Sequence, residues 1–201
     1  MPTSISGFDN TNHFMSVAQA VSNKTIVCGV PVNNNKLNMV ALVQETGKHI
    51  QAKNYPYLVI PTANAEGKKT SEIVGLYQRG HALGIDDASQ ANGFKVMFVL
   101  KQSVDIPARP FMRLTLNHHA DEWAELFAKT FLQVALDPSK KADDIFKTVG
   151  KQMVADMKDS FTKLDKPANA PLTAERKGFN NPLINTGELR DSIDYFVINK
   201  E

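Results

Sequence analysis

The sequence predicts an α+β fold, in which a small, mainly antiparallel sheet is packed by two long amphipathic helices. Between Pro110 and Leu164, apolar residues recur every three or four positions, the spacing of amphipathic helices. Elsewhere, short β-branched runs lie between turn residues, which is typical of strands. The composition, 42% hydrophobic and 22% charged over 201 residues, is that of an ordinary globular protein. We expect one domain over residues 1–201, with a β-rich arm or loop insertion at about 50–93.

Composition excludes several classes of protein. Lys and Arg (23) exceed Asp and Glu (21) by only two and are interspersed, so no basic stripe indicates nucleic-acid binding. No apolar run approaches the length of a membrane helix, and residues 1–7 lack the features of a signal peptide. One cysteine, Cys28, excludes an internal disulfide and a cysteine-based zinc site. It lies in an apolar run without a basic neighbour, so we expect a small buried hydrophobe rather than a reactive thiol.

The first elements are a helix, a strand and a segment of ambiguous type. Residues 9–22 show helical spacing behind possible caps at Asp9, Asn10 or Thr11. Residues 25–30 form a β-branched run that predicts a buried strand, and residues 33–35 predict a turn. Residues 37–45 fit either a strand or a helix, because their apolar positions satisfy both periods.

The middle of the chain is expected to be rich in strands. Strands are predicted at residues 49–53, 57–60 and 94–100, the last being the strongest. Residues 63–93 are predicted to be loops around one short element at 73–77. We expect one sheet built from the strands near 25–30, 94–104 and 194–199.

Two amphipathic helices follow. The first is expected to bury a stripe of six residues: Leu116, Ala120, Trp123, Phe127, Phe131 and Val134. Asp137 is predicted to cap the second helix and Pro138 to be its first residue. The buried stripe of the second helix is predicted to be Ala142, Ile145, Phe146, Val149, Met153, Met157, Phe161 and Leu164. A link this short favours antiparallel packing of the two helices.

The C-terminal segment predicts a short helical turn, a second small helix and a closing strand. Gly178 can supply the left-handed residue that ends the turn. Asn185 or Thr186 can cap the next helix, with Glu188 in its first turn. Residues 195–198 are apolar on both faces, so we expect this strand in the centre of a sheet or under a helix.

No set of residues has the spacing of a catalytic or metal site. His118 and Glu122 lie four residues apart on a helix, but no third ligand is indicated by spacing. Neither a G-x-S-x-G elbow nor a glycine-rich phosphate loop occurs. The aromatic stripe of the first long helix is flanked by acids, which disfavours a role in binding nucleic acid. We therefore expect no catalytic, cofactor-binding or metal-binding residues, and no enzyme.

Three segments resemble a known family. Residues 182–193 read Pro-Leu-Ile-Asn-Thr-Gly-Glu-Leu-Arg-Asp-Ser-Ile, with Arg-Lys-Gly at 176–178. Residues 106–111 resemble the (I)PxRP(F/Y) turn that precedes a long helix, and residues 43–47 resemble a helix-ending E-x-G. In order and spacing these segments resemble a tailed-bacteriophage tail-component or tail-completion (head–tail joining, virion morphogenesis) family. The resemblance covers roughly residues 24–198, favours a helix at 37–45 and places 50–93 as an insertion.

The resemblance implies a non-enzymatic virion component without cofactors. It would form a ring, hexameric by tail symmetry, at the head-proximal end of the tail. Its partners would be its own copies and the neighbouring neck, connector, tail-tube or tail-terminator proteins. It implies no membrane partner and no sequence-specific nucleic acid, only incidental proximity to exiting DNA. The protein would reside in the virion, and in the host cytoplasm during assembly. The alternative is a minor tail or tail-assembly protein acting elsewhere on the particle through protein contacts.

The same segments supply the candidate interface residues. They are Arg109, Pro110, Phe111, Pro182, Leu183, Thr186, Gly187 and Arg190. Arg109 lies between two prolines, which stiffen its backbone; it makes either a salt bridge or helix cap inside the subunit, or a contact with a neighbour. Arg190 has the same two interpretations, and residues 182–184 either fill the core or dock on a neighbour. If Arg109 is an interface residue, Arg109→Glu should block particle joining while leaving the subunit folded.

Overall fold

The computed structural model describes residues 11–31 and 35–200. The predicted caps Asp9 and Asn10, the signal-peptide prediction for residues 1–7, and most of the turn at 33–35 lie outside this part. The α+β class is confirmed, with helices and small antiparallel sheets. No described helix is long and apolar enough to cross a membrane.

The helices and strands are numbered in chain order. The helices are α1 (Thr11–Ser22), α2 (Asn35–Thr46), α3 (Phe111–Ala135), α4 (Ala142–Lys163), α5 (Pro171–Lys177) and α6 (Glu188–Asp191). The strands are β1 (Lys24–Gly29), β2 (Lys48–Gln51), β3 (Leu58–Pro61), β4 (Tyr77–Arg79), β5 (Ala82–Asp86), β6 (Phe94–Lys101), β7 (Ser103–Ile106) and β8 (Asp194–Asn199). Short 3₁₀ helices lie at Ala63–Ala65 and Thr70–Glu72.

The chain divides into two compact units, whereas the sequence predicts one domain. The helical unit comprises Met1–Asn38, Phe111–Phe161 and Glu188–Glu201. The sheet unit comprises Met39–Pro110 and Thr162–Gly187.

Helices α3 and α4 form the core of the helical unit and run antiparallel, as predicted. Phe111, at the start of α3, contacts Phe161, near the end of α4, with ring centroids 4.4 Å apart. Phe127 and Phe146 meet at the other end, 6.4 Å apart. Helix α1 packs on α3, where Val17 joins a buried cluster with Val134 and Ile145.

Polar side chains pair across α3 and α4. The indole N–H of Trp123 donates to Asp156 Oδ2 over 2.7 Å, and the exposed Gln152, within α4 itself, donates to the other carboxylate oxygen over 2.9 Å. The Thr115 hydroxyl donates to Ser160 Oγ over 2.6 Å. Burying unpaired polar groups is costly, so these bonds favour one alignment of the two helices.

Two predictions for this helical pair are wrong in detail. Leu116 and Ala120 do not belong to the buried stripe of α3, because the row that faces α4 contains Phe111, Thr115 and Trp123 instead. Helix α4 begins at Ala142 rather than at Pro138. The Asp137 carboxylate accepts bonds from the Ser139 N–H (3.0 Å) and hydroxyl (2.7 Å), so it stabilises a turn rather than capping the helix.

Strands β1 and β8 pair antiparallel, with Lys24 opposite Asn199 and Gly29 opposite Asp194. Helix α4 approaches one face of this sheet at Gly150, where an added Cβ would lie 2.2 Å from the Tyr195 ring. The sequence predicts that the strand near 94–104 joins this sheet, which is wrong because β6 pairs elsewhere. Of the two placements predicted for β8, the centre of a sheet is wrong because β8 lies at an edge, whereas its contact with α4 at Tyr195 fits the placement under a helix.

The sheet unit contains two further antiparallel sheets. One pairs β2 with β7, and the other has the order β3-β6-β5-β4. Strand β6 buries Phe94, Met97 and Phe98, which pack against apolar residues including Ala65 and Leu83. The predicted loop region 63–93 therefore supplies two strands, and residues 73–77 do not form one element. Gly80, with φ +62°, lies in the two-residue loop between β4 and β5, which is the turn signal that the sequence prediction overlooked.

Candidate functional site

Arg109 occupies the centre of the sheet unit's hydrogen-bond network. Its side chain is buried, with 4% of the residue exposed. Nε donates to the Pro167 carbonyl over 2.8 Å, and Nη2 donates to the Ala168 carbonyl over 3.1 Å. Nη1 donates to Gln44 Oε1 over 3.0 Å. Burial lowers the pKa of Arg109, but a guanidinium stays protonated in proteins, so this is a positive charge held by neutral oxygens.

The end of helix α2 fits closely against the turn at residues 106–111, which we call the Arg109 turn. Gly47 has φ +72°, and its N–H donates to the Val43 carbonyl over 2.8 Å, which ends the helix. A Cβ at Gly47 would lie 2.8 Å from the Ala108 nitrogen and 2.9 Å from the Ile106 carbonyl oxygen. Only glycine therefore fits this position without a shift of the backbone.

Asn181 organises the segment that follows helix α5. Its Oδ1 accepts the backbone N–H groups of Leu183 (3.0 Å) and Ile184 (2.9 Å). Its carbonyl accepts Lys177 Nζ over 2.8 Å and Asn169 Nδ2 over 3.2 Å. These bonds hold residues 181–184 in one conformation.

Helix α5 ends as the sequence predicts. Gly178 has φ +75°, and its N–H donates to the carbonyls of Ala174 and Glu175. Burial lowers the pKa of the Lys177 ammonium, and the positive charges of Arg109 and Arg176 lower it further. The Arg-Lys-Gly sequence and Arg109 are therefore close enough to interact electrostatically.

The structure brings together segments that are distant in the sequence. Arg109 and Pro167 are separated by 58 residues, and Arg109 and Gln44 by 65. The segments at 43–47 and 106–111 thus share this network through Gln44 and Arg109, and the charge of Arg109 acts on Lys177 of the third segment. The burial of Arg109 agrees with a role inside the subunit.

The other candidate interface residues divide by exposure. Phe111, Pro182 and Leu183 are buried, so their side chains fill the interior of the chain. Pro110 and Gly187 are half-buried, and Thr186 is exposed. Arg190 is half-buried and forms an ion pair with its neighbour Asp191, with Nη2 and Oδ1 2.9 Å apart. Surface for a partner remains at Thr186 and Arg190.

The burial of Arg109 argues against the prediction that Arg109→Glu leaves the subunit folded. The substitution would place a carboxylate against the carbonyl oxygens of Pro167 and Ala168, which now accept hydrogen bonds from the guanidinium. A buried, uncompensated negative charge beside acceptors is strongly destabilising. Loss of function in that variant would therefore not identify an interface.

The histidine-rich start of α3 forms local pairs. His119 Nδ1 lies 2.6 Å from Glu122 Oε2, and the imidazole stacks on Trp123 at 6.1 Å. Within residues 11–31 and 35–200, no group of three or more His, Cys, Asp or Glu side chains is arranged to hold a metal ion. In the same residues every buried side-chain N or O atom has a hydrogen-bond partner.

Cys28 has the environment of a structural cysteine. Burial, and secondly the charge of Asp194, raise the pKa of its thiol to about 11, against a smaller opposing effect of Lys158. A thiol with so high a pKa is a poor nucleophile at neutral pH.

The sequence analysis missed an exposed apolar ridge along α3 and the residue that follows it, with members four residues apart. The ridge consists of Leu116, Ala120, Ala124, Ala128, Leu132 and Leu136, all of which are exposed. At 3.6 residues per turn this row winds around the helix, so Leu116 points about 160° away from Leu132. Leu132 and Leu136 are neighbours at the end of the ridge, and both are more than half exposed. The four-residue spacing is visible in the sequence, but the larger aromatic stripe beside it concealed the ridge.

Comparison with known proteins identifies no relative: no family model, no curated protein and no solved structure matches the chain. The resemblance of the segments at 43–47, 106–111 and 176–193 to a family therefore stays a prediction.

Proposed function

We propose that this chain is a structural virion protein of a tailed bacteriophage. It acts as a neck or tail-completion component that forms a ring at the head-proximal end of the tail. It works through protein contacts and carries out no reaction.

The observation that carries the proposal is the contact between two of the family-like segments at Arg109. Gln44 accepts a bond from its guanidinium, Gly47 fits against Ile106 and Ala108, and the charge of Arg109 acts on Lys177 in the third segment. Chance similarity in short segments gives no reason for them to meet in space. A shared architecture does give such a reason, because residues in mutual contact are constrained together.

The exposed ridge of α3 supports a role in protein association. Leu116, Leu132 and Leu136 are 52%, 53% and 63% exposed. Leu132 and Leu136, which are helical neighbours at the end of the ridge, offer an apolar surface whose burial by a partner would be favourable. Polar residues such as Asp121, Glu125 and Lys129 border the ridge, as in the rims of many interfaces.

A closed ring needs two different patches on each subunit, because a head-to-tail contact joins unlike surfaces. The ridge is our candidate for one patch, and the exposed Thr186 for the other. The remaining partners are the neighbouring neck or connector proteins and the tail-tube or tail-terminator proteins.

Quantitative mass spectrometry of gradient-purified particles tests the proposal. The expected result is a copy number of one ring, about six per particle or a small multiple of that number. Absence from mature particles would overturn the proposal and favour an assembly factor. A much larger copy number would favour a tail component elsewhere on the particle.

A variant pair tests the ridge. Leu132→Asp should abolish incorporation into particles, because it places a charge in the apolar contact. The matched control is Gln133→Asp, which adds the same charge at the adjacent exposed position of the same helix and should be incorporated normally. Equal incorporation of both variants would exclude the ridge as a particle contact.

A further inference from the structure

Strand β8 is the exposed edge of the two-stranded sheet in the helical unit. Phe196, Val197 and Ile198 are 42%, 39% and 50% exposed, whereas in β1 only Val27 is exposed. Within the described part of the chain, no third strand pairs with either β1 or β8. A two-stranded sheet has little stability of its own and gains from further strands.

The hydrogen-bond pattern shows which backbone groups of β8 face outward. The Lys200 N–H donates to the carbonyl of Asn23, the residue opposite it, over 2.8 Å. Hydrogen-bonded and non-bonded pairs alternate along an antiparallel ladder. Phe196 and Ile198 therefore bond to β1, and Tyr195, Val197 and Asn199 direct their N–H and C=O groups away from it.

A side-chain contact agrees with this assignment. The Tyr195 N–H donates to Asp194 Oδ1 over 2.8 Å, which is possible because it does not face β1. Among the described residues, no other hydrogen bond to these outward groups is found.

The edge also lacks the features that prevent edge strands from pairing with strands of other chains. Proline, a bulge or a charge in the middle of the strand usually serves this purpose. Residues 195–198 are all apolar or aromatic, and β8 pairs with β1 in an unbroken register. The nearest charges lie beyond this run, Asp194 on one side and Lys200, followed in the sequence by Glu201, on the other.

We propose that β8 pairs antiparallel with β8 of a second copy of this chain, about a two-fold axis at Val197. The result is a four-stranded sheet with β1 on each outer side. Val197 faces Val197 of the second copy, and Phe196 faces Ile198. This register places Asp194 opposite Lys200 of the second copy, and the symmetry repeats the ion pair.

Charge complementarity selects this register. The alternation of backbone bonds allows the axis to lie at Phe196, Val197 or Ile198. Only the axis at Val197 brings Asp194 and Lys200 together. It also forms aromatic–β-branched pairs on both sides of the axis, which stabilise antiparallel strands. On pairing, Asp194 exchanges its bond with the Tyr195 N–H for the lysine.

This inference goes beyond the proposed function and does not depend on it. A two-fold contact uses the same patch on both copies, unlike the head-to-tail contact of a ring. It concerns the free protein, and it fails or stands in experiments that contain no particle.

Charge reversal tests the pairing by sedimentation of the full chain, from about 1 μM to about 1 mM. We expect wild type to dimerise, and Asp194→Lys and Lys200→Asp each to weaken the dimer about tenfold, because like charges then face each other twice. The double variant Asp194→Lys/Lys200→Asp exchanges the charges and should restore the wild-type affinity. A wild type that is monomeric throughout, or a double variant as weak as the single ones, would overturn the proposal.

A proline substitution tests the edge independently of charge. The Val197 N–H faces outward, so Val197→Pro removes a bond to the second copy and none to β1, a position where edge strands accept proline. The variant should keep its circular dichroism spectrum and lose dimerisation. A folded variant that dimerises like wild type would overturn the proposal. If the variant does not fold, the charge-reversal series decides.

Discussion

The Arg109 turn and strand β8 are opposites in how their polar groups are satisfied. Arg109 is charged yet buried, and its three kinds of guanidinium nitrogen all donate to oxygens of the same chain. Strand β8 is apolar yet exposed, and its outward backbone groups have one partner among the described residues, the Asp194 carboxylate. Burial follows from whether polar groups find partners, and residue type alone does not determine it. The turn therefore stabilises the fold, and the edge strand is available for association.

Removing the Arg109 side chain should have the largest effect on stability. Arg109→Ala leaves the carbonyls of Pro167 and Ala168 and the amide of Gln44 without this donor. We expect a loss of about 3–5 kcal/mol in the free energy of unfolding. Chemical denaturation followed by circular dichroism measures this loss. Tryptophan fluorescence is less suitable, because Trp123, the single tryptophan, lies in the helical unit and Arg109 lies in the sheet unit. Lys101→Ala, at an exposed position, is the control; equal effects would contradict the role of Arg109.

Gly150→Ala should have the next largest effect and tests the inner face of β8. The added methyl would overlap the Tyr195 ring, 2.2 Å from its nearest atom. Overpacking of this kind costs about 1–3 kcal/mol. The matched control is Gly29→Ala in β1, where an added Cβ meets nothing within 4 Å. Thermal melting of the two variants should therefore differ, and the same melting temperature in both would show that α4 does not contact this face.

Ile198→Thr should change stability little, by about 0.5 kcal/mol. Ile198 is half exposed, and threonine keeps the β-branched shape that suits a strand. The same substitution should weaken dimerisation, because Ile198 faces Phe196 of the second copy. Denaturation and sedimentation of one preparation check both effects. A large loss of stability would show that β8 is an interior strand.

The smallest expected effect is the contribution of Cys28 to the pH dependence of stability. Its thiol pKa is raised from 9.0 to about 11 by burial. Between these values the unfolded chain is ionised and the folded chain is not, so stability is complete below pH 9.0 and falls as pH rises towards 11. Alkylation by iodoacetamide at about pH 9 should be slower in the folded chain than in denaturant. Equal rates would show that the thiol is not shielded.

Helical elements could be predicted from the sequence because their periodicity is local. The stripe from Ile145 to Phe161 in α4 and the left-handed Gly178 depend on neighbours within a few residues. Strand pairing depends on distant partners, so the grouping of β6 with β3 and β5 could not be read from pattern. The start of α4 was misplaced because Asp137 bonds Ser139, a competing local contact.

The candidate site shows the same limit. The sequence indicates that the turn with Arg109 is special, but only the structure shows that its partners are the carbonyls of Pro167 and Ala168. The apolar character of β8 predicts a strand in the centre of a sheet or under a helix. The chain supplies β1 as its only described partner, so one edge stays open.

Hydrogen–deuterium exchange at low and high protein concentration tests this contrast most directly. One experiment reports on both regions, in peptides covering residues 166–184 and 194–200. We predict that raising the concentration slows exchange in 194–200, because the outward amides of β8 become paired, and leaves 166–184 unchanged. If raising the concentration slowed exchange in 166–184 and left exchange in 194–200 unchanged, the account would be contradicted, and the interface would lie at the C-terminal motif segment.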